Sequence, residues 1–203
     1  MIFGKTSIEG LYIIEPEITE DERGYFTRIF AREELEREGL SFAIVHANVS
    51  FTKKRGTIRG LHFQKEPGVE GKIVHCVKGA IYDVAVDLRK DSNTFGKWVA
   101  EELTEENNKM FFIPRGFAHG LQTLTDHCIV HYKMDNYYIS ENADSIKWND
   151  PDLGITWPIE KPVVISERDA KAQSFMAAYN KSQTSQQTHQ EPQVPNVAGA
   201  ETQ

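Results

Sequence analysis

The amino-acid sequence predicts a mainly β fold, an antiparallel β-barrel or jelly roll with a few short helices. Most of the first 180 residues alternate between apolar and polar side chains, as strands with one buried face do. Glycine and proline punctuate these segments at short intervals. Helical periodicity is rare, which favours a fold built from many short strands.

The alternation of apolar and polar side chains predicts where individual strands begin and end. The clearest pair is Lys72 to Val77 and Ala80 to Leu88, because Lys78-Gly79 between them predicts a hairpin turn. The other predicted strands are Leu11 to Glu15, Phe42 to Ser50, Arg59 to Gln64, Lys97 to Leu103, Phe111 to Ile113, Gly120 to Thr125 and Cys128 to Tyr138. Helices are predicted at Glu33 to Glu38 and at Arg168 to Tyr179, where apolar side chains recur at helical spacing.

The 203 residues are expected to form one domain over residues 1–180 and a disordered tail over 181–203. The tail is rich in Gln, Ser, Thr and Pro, so it cannot bury enough apolar surface to offset the entropy of ordering. The net charge of -7 argues against general binding to nucleic acid or to an anionic membrane. No window approaches the length of a membrane span, and the N-terminus lacks the pattern of a signal peptide. We therefore expect a cytoplasmic protein whose two cysteines, Cys76 and Cys128, are reduced and buried.

The first candidate for chemistry is His62, in the segment Arg59 to Gln64 (RGLHFQ). In a regular strand, Arg59 and Leu61 face one side, while Gly60, His62 and Gln64 face the other. A lone histidine in such a strand is more often a hydrogen-bonded core residue than a catalytic group. A second motif makes the catalytic interpretation competitive.

That motif is Pro114 to His119 (PRGFAH), whose spacing matches the second motif of the cupin barrels. The first cupin motif is half present, because Gly56 and His62 match it while Gln64 replaces its second histidine. Two histidines and a glutamine would make a poor metal site. The sequence therefore resembles a cupin barrel that has lost its metal, and we expect neither a metal ion nor another cofactor.

Two further side chains are candidates. Tyr132 alternates with Met134, Asn136 and Tyr138 on one face of a strand, where aromatic residues commonly pack as core. Asp169 lies in the first turn of the last helix, a favourable place for a carboxylate without any catalysis. Taken singly, each of these is more simply structural than catalytic.

Together, these segments resemble the dTDP-4-dehydrorhamnose 3,5-epimerase family, from the N-terminus to about residue 175. So many ordered blocks within one domain are far more specific than any single motif. The blocks are Asp21 to Phe26 (DERGYF), Arg59 to Gln64, Gly71-Lys72, Asp83 to Lys90 (DVAVDLRK), Ser92, Phe95-Gly96, Ile113 to Gly120 (IPRGFAHG), Asn136 to Tyr138, Trp148 to Asp150 and Trp157-Pro158.

The resemblance implies a role for each matching residue. His62 matches the general base and Asp169 the carboxylate that orients it. Tyr132 matches the general acid on the opposite side of the sugar, and Lys72 matches the lysine beside the C4 oxygen. The implied substrate-binding residues are Arg23, Phe26, Arg28, Asn48, Arg59, His119, Tyr138 and Arg168. Because Arg23 lies near the dimer interface in this family, the resemblance also implies a homodimer.

The implied reaction inverts C3 and C5 of a nucleotide-linked 4-keto-6-deoxyhexose, from dTDP-4-dehydro-6-deoxyglucose to dTDP-4-dehydrorhamnose. An imidazole with a pKa of about 6.5 can remove the weakly acidic proton beside the ketone. Lys72 would stabilise the enolate oxygen. A phenol with a pKa of about 10 is protonated at neutral pH and can return a proton to the opposite face. No hydride moves, which agrees with the absence of a glycine-rich dinucleotide motif from the sequence.

Three short segments depart from the family pattern. Arg28 and Ala143 each stand where the family has a glutamate, and His46-Ala47 precede Asn48 where the family has Gln-Asp. Replacing Glu by Arg reverses the charge and turns a hydrogen-bond acceptor into a donor. Because none of these is a proton-transfer position, we expect them to change recognition of the nucleotide or sugar.

The sequence leaves three alternatives open. The first is a single-site 3- or 5-epimerase, or an epimerase of another nucleotide sugar. The second is a metal-dependent cupin with His62 and His119 as ligands, against which Gln64 counts. The third is a non-catalytic sugar-binding barrel, although binding alone has no need of a base and an opposing acid.

Overall fold

The structure, a computed structural model, describes residues 1–180, and the predicted tail lies outside the described residues. Antiparallel strands dominate, which confirms the predicted fold class. The strands are β1 (Ile2–Lys5), β2 (Tyr12–Glu15), β3 (Ile18–Asp21), β4 (Gly24–Thr27), β5 (His46–Thr52), β6 (Thr57–Gln64), β7 (Lys72–Lys78), β8 (Ala80–Asp87), β9 (Trp98–Thr104), β10 (Met110–Ile113), β11 (Phe117–Thr123), β12 (Cys128–Met134), β13 (Ala143–Ser145) and β14 (Val164–Ile165). The helices are α1 (Arg32–Arg37) and α2 (Glu167–Ala170), and residues 175–180 are also helical.

Two six-stranded sheets form the jelly roll. The first has the order β1-β2-β10-β7-β12-β5, and the second has the order β13-β6-β11-β8-β9, with β14 added in parallel beside β6. The two sheets face each other, because Val74 and Val130 of the first share a buried cluster with Ile81, Ala85 and Leu121 of the second. The strands β3 and β4 form a separate hairpin.

The outer faces of both sheets are partly covered. On the second sheet, Ile58 and Val84 pack against Trp157 and Phe175 from the C-terminal region. On the first sheet, Ile73 and other apolar residues pack against the segment that contains α1. The C-terminal region is therefore held to β6 and its neighbours by apolar contacts, and this attachment positions α2.

The predicted alternation of β6 is wrong at one point. Leu61 does not share a face with Arg59, since it packs with Ile58 in the outer cluster while the Arg59 guanidinium crosses to the first sheet. The alternation breaks at Gly60, which has a φ of +122°, and the β6–β11 register shifts there. A Cβ on Gly60 would lie 2.5 Å from the Cα of Gly120, so only glycine fits. As a result, Arg59 and His62 both face the space between the sheets.

The predicted C-terminal helix, Arg168 to Tyr179, is also wrong because it is interrupted. Helix α2 ends at Ala170, and Gln173 instead forms a β-bridge with Ile146. Helical structure resumes at Phe175, whose backbone N–H donates to Asp150 Oδ2 at 3.0 Å. Tertiary hydrogen bonds therefore override the helical periodicity of this segment.

Several strand boundaries differ from the expectation. The strand predicted from Cys128 to Tyr138 ends at Met134, because the next residue, Asp135, uses its side chain to accept a hydrogen bond from Gly71 N–H at 2.6 Å. The strand predicted from Phe42 begins only at His46, and β11 begins earlier than predicted, at Phe117. The short strands β1, β3, β4, β13 and β14 were not predicted, because they are too short to show alternation.

Both cysteines are buried free thiols, as expected. Burial raises the pKa of Cys76 to about 12, so this thiol is protonated at neutral pH. Among residues 1–180, no helix has the length and apolar composition that a bilayer span requires.

Candidate active site

His62 and Asp169 form a hydrogen-bonded pair between β6 and α2. Asp169 Oδ1 lies 2.7 Å from His62 Nε2, and Asp169 Oδ2 accepts a hydrogen bond from Gly60 N–H at 3.2 Å. Ser166 caps α2 by accepting from the Asp169 backbone N–H. The His62 side chain is 40% exposed, whereas that of Asp169 is 5% exposed. The pair therefore joins a buried carboxylate to an imidazole that solvent can reach.

The charge of Asp169 fixes the orientation of this imidazole. Burial by itself raises the pKa of Asp169, but the hydrogen bond and charge of His62, with hydrogen bonds from Gly60 and Ser166, lower it below its ordinary value of 3.8. Asp169 is thus an anion at neutral pH and accepts a hydrogen bond from His62 Nε2–H. In neutral His62 this leaves Nδ1 as the nitrogen that can accept a proton.

A second histidine–carboxylate pair lies on the neighbouring strands. His119 Nε2 is 2.8 Å from Asp83 Oδ1, and Asp83 is completely buried. His119 is the register partner of His62 across β11 and β6, so the two pairs are adjacent. Asp83 Oδ2 has no hydrogen-bond partner in the described part of the chain. Asp83 was not among the predicted site residues, although an acidic residue at an inward position of an otherwise apolar strand was the available signal.

Tyr132, Asn48 and Lys72 lie on the inner face of the opposite sheet. Tyr132 packs against the cluster between the sheets, and its register partners are Asn48 and Val74. Lys72 alternates with buried Val74 along β7 and therefore shares that face. The structure thus brings His62 and Tyr132 onto the facing surfaces of the two sheets, and β5, the edge strand of the first sheet, borders the space between them.

Arg59 connects these two sheets beside that space. Its Nε donates to Thr52 Oγ1 at 3.0 Å, and its Nη2 donates to the Phe51 carbonyl at 3.2 Å. Thr52 and Phe51 belong to β5, the strand that also carries Asn48. The guanidinium is therefore fixed beside β5, where it adds a positive charge to the site.

Lys72 is paired with a carboxylate. Its Nζ lies 3.0 Å from Glu70 Oε1, and the two side chains are 10% and 5% exposed. Glu70 Oε2 in turn accepts a hydrogen bond from Gln64 Nε2 at 3.0 Å. Sequence reasoning missed Glu70, since a single acidic residue in a loop carries no distinctive pattern.

The hairpin residues expected to bind substrate are not gathered at this site. Arg23 is 90% exposed in its side chain and pairs with Asp21 within the hairpin turn, and Phe26 is 69% exposed. The Arg28 guanidinium lies 3.9 Å from Glu34 of α1. Within one chain, the structure therefore separates these three residues from the two histidine pairs.

The remaining predicted substrate-binding residues are exposed. Tyr138 is exposed in the segment after β12, and Arg168 is exposed beside Asp169. At the departure from the family pattern in β5, the ring of His46 packs edge-on against Tyr137, with centroids 5.7 Å apart. Ala143 begins β13 as the register partner of Gln64.

The described residues contain no group of three or more His, Cys, Asp or Glu arranged to hold a metal ion. Gln64, the substituted cupin ligand, uses its amide to donate to the carbonyls of Gly68 and Tyr137 and to accept from Ile139 N–H. The amide of Gln64 is therefore occupied by hydrogen bonds within the chain.

Comparison with known proteins places the chain in a family. The model of the family described as dTDP-4-dehydrorhamnose 3,5-epimerase matches residues 5–177. The chain belongs to this family. The family assignment made from the sequence is therefore confirmed, and this epimerase is an isomerase.

Relatives of this epimerase cover nearly the whole described chain. The dTDP-4-dehydrorhamnose 3,5-epimerase of Methanothermobacter thermautotrophicus is 49% identical over 82% of this chain and 90% of its own length. The crystal structure of the Elizabethkingia anophelis enzyme of the same name has a TM-score of 0.83 and 44% identity, over 87% of this chain and 97% of that one. The structure of the Legionella pneumophila dTDP-6-deoxy-D-glucose-3,5-epimerase, in complex with dTDP-4-keto-L-rhamnose, has a TM-score of 0.85 and 39% identity. The match covers 89% of this chain and 96% of that one.

The His62–Asp169 pair predicts a pH-dependent contribution to stability. In Asp169→Asn, the amide NH2 replaces one carboxylate oxygen. This donor then faces another donor, the N–H of Gly60 or of His62, so we expect a loss of about 1–3 kcal/mol in the free energy of unfolding at pH 7. Because the folded-state pKa of Asp169 lies below 3.8, the contribution is complete above that pH and is lost as the pH falls through the folded-state value. Urea unfolding at pH 7 and at lower pH measures the difference.

The control for this measurement is Glu167→Gln in the same helix. Glu167 is exposed and pairs with Lys171, one turn along, so its replacement should change the unfolding free energy by less than about 0.5 kcal/mol. An Asp169→Asn protein as stable as the wild type at pH 7 would show that the buried contact is not formed.

Proposed function

We propose that this epimerase inverts C3 and C5 of dTDP-4-dehydro-6-deoxyglucose to give dTDP-4-dehydrorhamnose, without a cofactor. The observation that carries the proposal is the His62–Asp169 pair on one sheet, facing Tyr132 on the other. A base and an acid on opposite walls suit an inversion, in which a proton leaves one face of a carbon and another arrives on the opposite face. The names of the relatives support the choice of sugar nucleotide.

The first step removes a proton beside the C4 ketone. His62 Nδ1 takes the proton, the C–H electron pair forms a carbon–carbon double bond, and the carbonyl electron pair moves to the C4 oxygen. The buried carboxylate of Asp169 stabilises the imidazolium that results. Lys72 donates a hydrogen bond to the enolate oxygen, which stabilises its negative charge.

The second step returns a proton to the other face of the same carbon. The Tyr132 phenol supplies it, and the C4 carbonyl is restored as the double bond is protonated. The enzyme then holds one proton too many on His62 and one too few on Tyr132. Exchange with solvent restores both groups before the same sequence runs at the second carbon.

Arg59, which is bonded to β5, and Asn48, which lies on β5, would bind the nucleotide diphosphate. The guanidinium of Arg59 suits a phosphate oxygen because it offers several N–H donors in a fixed plane. His119 lines the sugar pocket beside His62, and Tyr138 and Arg168 border its entrance. We also assign the enzyme to the cytoplasm, in keeping with its two free thiols.

Incubation with dTDP-4-keto-6-deoxyglucose in deuterated water tests the reaction. We expect deuterium at both C3 and C5 in the wild type, because each inversion exchanges a carbon-bound proton. His62→Ala should lose both inversion and exchange, and Tyr132→Phe should lose inversion more than exchange, because the base can still form the enolate. Deuterium at one carbon would favour the single-site 3- or 5-epimerase, and none in the wild type would refute the proposal.

Titration with nucleoside diphosphates tests base recognition separately. The packing of His46 against Tyr137 and the arginine at position 28 support a changed base preference. Isothermal titration calorimetry with dTDP, UDP, CDP and GDP compares the four bases on one protein. We expect binding of dTDP together with at least one other nucleotide at comparable affinity. A strong preference for dTDP alone would refute the changed base preference and leave the epimerase proposal intact.

A homodimer would bring the exposed hairpin to a second active site. Ile18, Tyr25 and Phe26 present apolar surface on β3 and β4, and Arg23 of the same hairpin lies apart from its own histidine pairs. We propose that the hairpin of one protomer completes the sugar-nucleotide site of the other.

Mixing inactive variants tests this arrangement. Arg23→Ala and His62→Ala should each have low activity, but unfolding and refolding the two together should restore about a quarter of the wild-type activity per subunit, because half of the dimers are mixed and each has one intact site. Light scattering should give the mass of two chains. A monomer, or no recovery on mixing, would contradict the shared site.

A further inference from the structure

Lys72 lies in an environment where an ammonium needs a partner. It begins β7, and its side chain is only 10% exposed between the two sheets. A buried charge without a counter-charge is costly, and Glu70 supplies the counter-charge at 3.0 Å. An ammonium carries three N–H donors, so the ion pair with Glu70 leaves donors for a ligand.

Glu70 is itself held in place. Its Oε2 accepts a hydrogen bond from Gln64 Nε2, and that amide also donates to the carbonyls of Gly68 and Tyr137. Gln64 is on the same strand as His62, two residues further along. The carboxylate that directs Lys72 is therefore fixed to the strand that carries the proposed base.

The same amide also fixes the segment around Tyr138. Gln64 Oε1 accepts from Ile139 N–H at 2.7 Å, and Gln64 Nε2 donates to the Tyr137 carbonyl at 3.1 Å. These two backbone groups lie on either side of Tyr138. Gln64 and Glu70 thus form one hydrogen-bonded unit that connects the base strand, Lys72 and the site entrance.

We infer that Glu70 is a positioning residue, which aims the Lys72 ammonium at the enolate oxygen. The inference rests on the proposed function, because it assigns Lys72 to the developing oxyanion. The ammonium donates one N–H to Glu70 and another to the C4 oxygen. The pair has no net charge before the reaction, so the site gains its negative charge only when the enolate forms. Such a donor favours the transition state over the neutral ketone.

Two variants separate the charge of Glu70 from its reach. Glu70→Gln keeps the shape and one acceptor oxygen but removes the charge, and Glu70→Asp keeps the charge but shortens the side chain. We expect both to lower kcat by about 10-fold or more, with KM changed by less than about 3-fold. A misdirected donor stabilises the transition state less, whereas binding of the ketone changes little. Glu66→Gln, an exposed glutamate in the same loop, is the control and should match the wild type.

The division of the loss between kcat and KM distinguishes positioning from a merely structural role. Loss of the local structure would weaken substrate binding and raise KM, whereas a misdirected donor lowers kcat at nearly constant KM. A Glu70→Gln enzyme with wild-type kcat, or one whose loss lies mainly in KM, would overturn the inference.

A measurement on the free protein keeps this result apart from the proposed function. Nitrogen-15 NMR of the lysine side chains, with Lys72 assigned by its loss in Lys72→Met, follows the ammonium directly. Its chemical shift should differ between Glu70→Gln and the wild type, because the ammonium loses its contact with the carboxylate, and should be unchanged in Glu66→Gln. If the wild type shows no proton exchange on the sugar, the proposed function fails while this contact stands. If the Lys72 signal is identical in all three proteins, the positioning role fails on its own.

Discussion

The contact of Asp169 with β6 is the constraint on which the candidate site depends. One carboxylate binds both the imidazole of His62 and the backbone N–H of Gly60, so it fixes the side chain and the strand that carries it. The contact requires α2 to lie against β6, which the apolar packing of Trp157 and Phe175 on the second sheet ensures. Apolar packing on the outer face of the second sheet therefore positions the charge of Asp169 beside His62.

Gly60 makes a second contribution that sequence periodicity alone does not reveal. The break in alternation turns Arg59 and His62 to the same side of β6, although they are three residues apart. In a regular strand, one of them would lie in the outer cluster among apolar residues. The close approach of Gly120 leaves no space for a side chain at position 60, so the two neighbouring strands determine this arrangement together.

Much of the fold could be predicted from the sequence, because strands with one buried face leave a clear period of two. The hairpin of β7 and β8 is an example, with boundaries within one residue of the prediction. The interrupted C-terminal helix could not be predicted, since its break depends on the distant residues Ile146 and Asp150. For the site, the resemblance identified His62 and Asp169, which the structure brings together. Asp83 and Glu70 were missed, because their importance lies in what they contact rather than in a local motif.

The wide separation of His62 and Asp169 along the chain has a consequence for synthesis on the ribosome. The two residues are 107 positions apart, and the later one belongs to the last part of the described fold. During translation, β6 and its histidine emerge long before the carboxylate that orients it. A nascent chain can therefore assemble β6 early, yet it completes the histidine–aspartate pair only after the ribosome has reached a residue 107 positions further along.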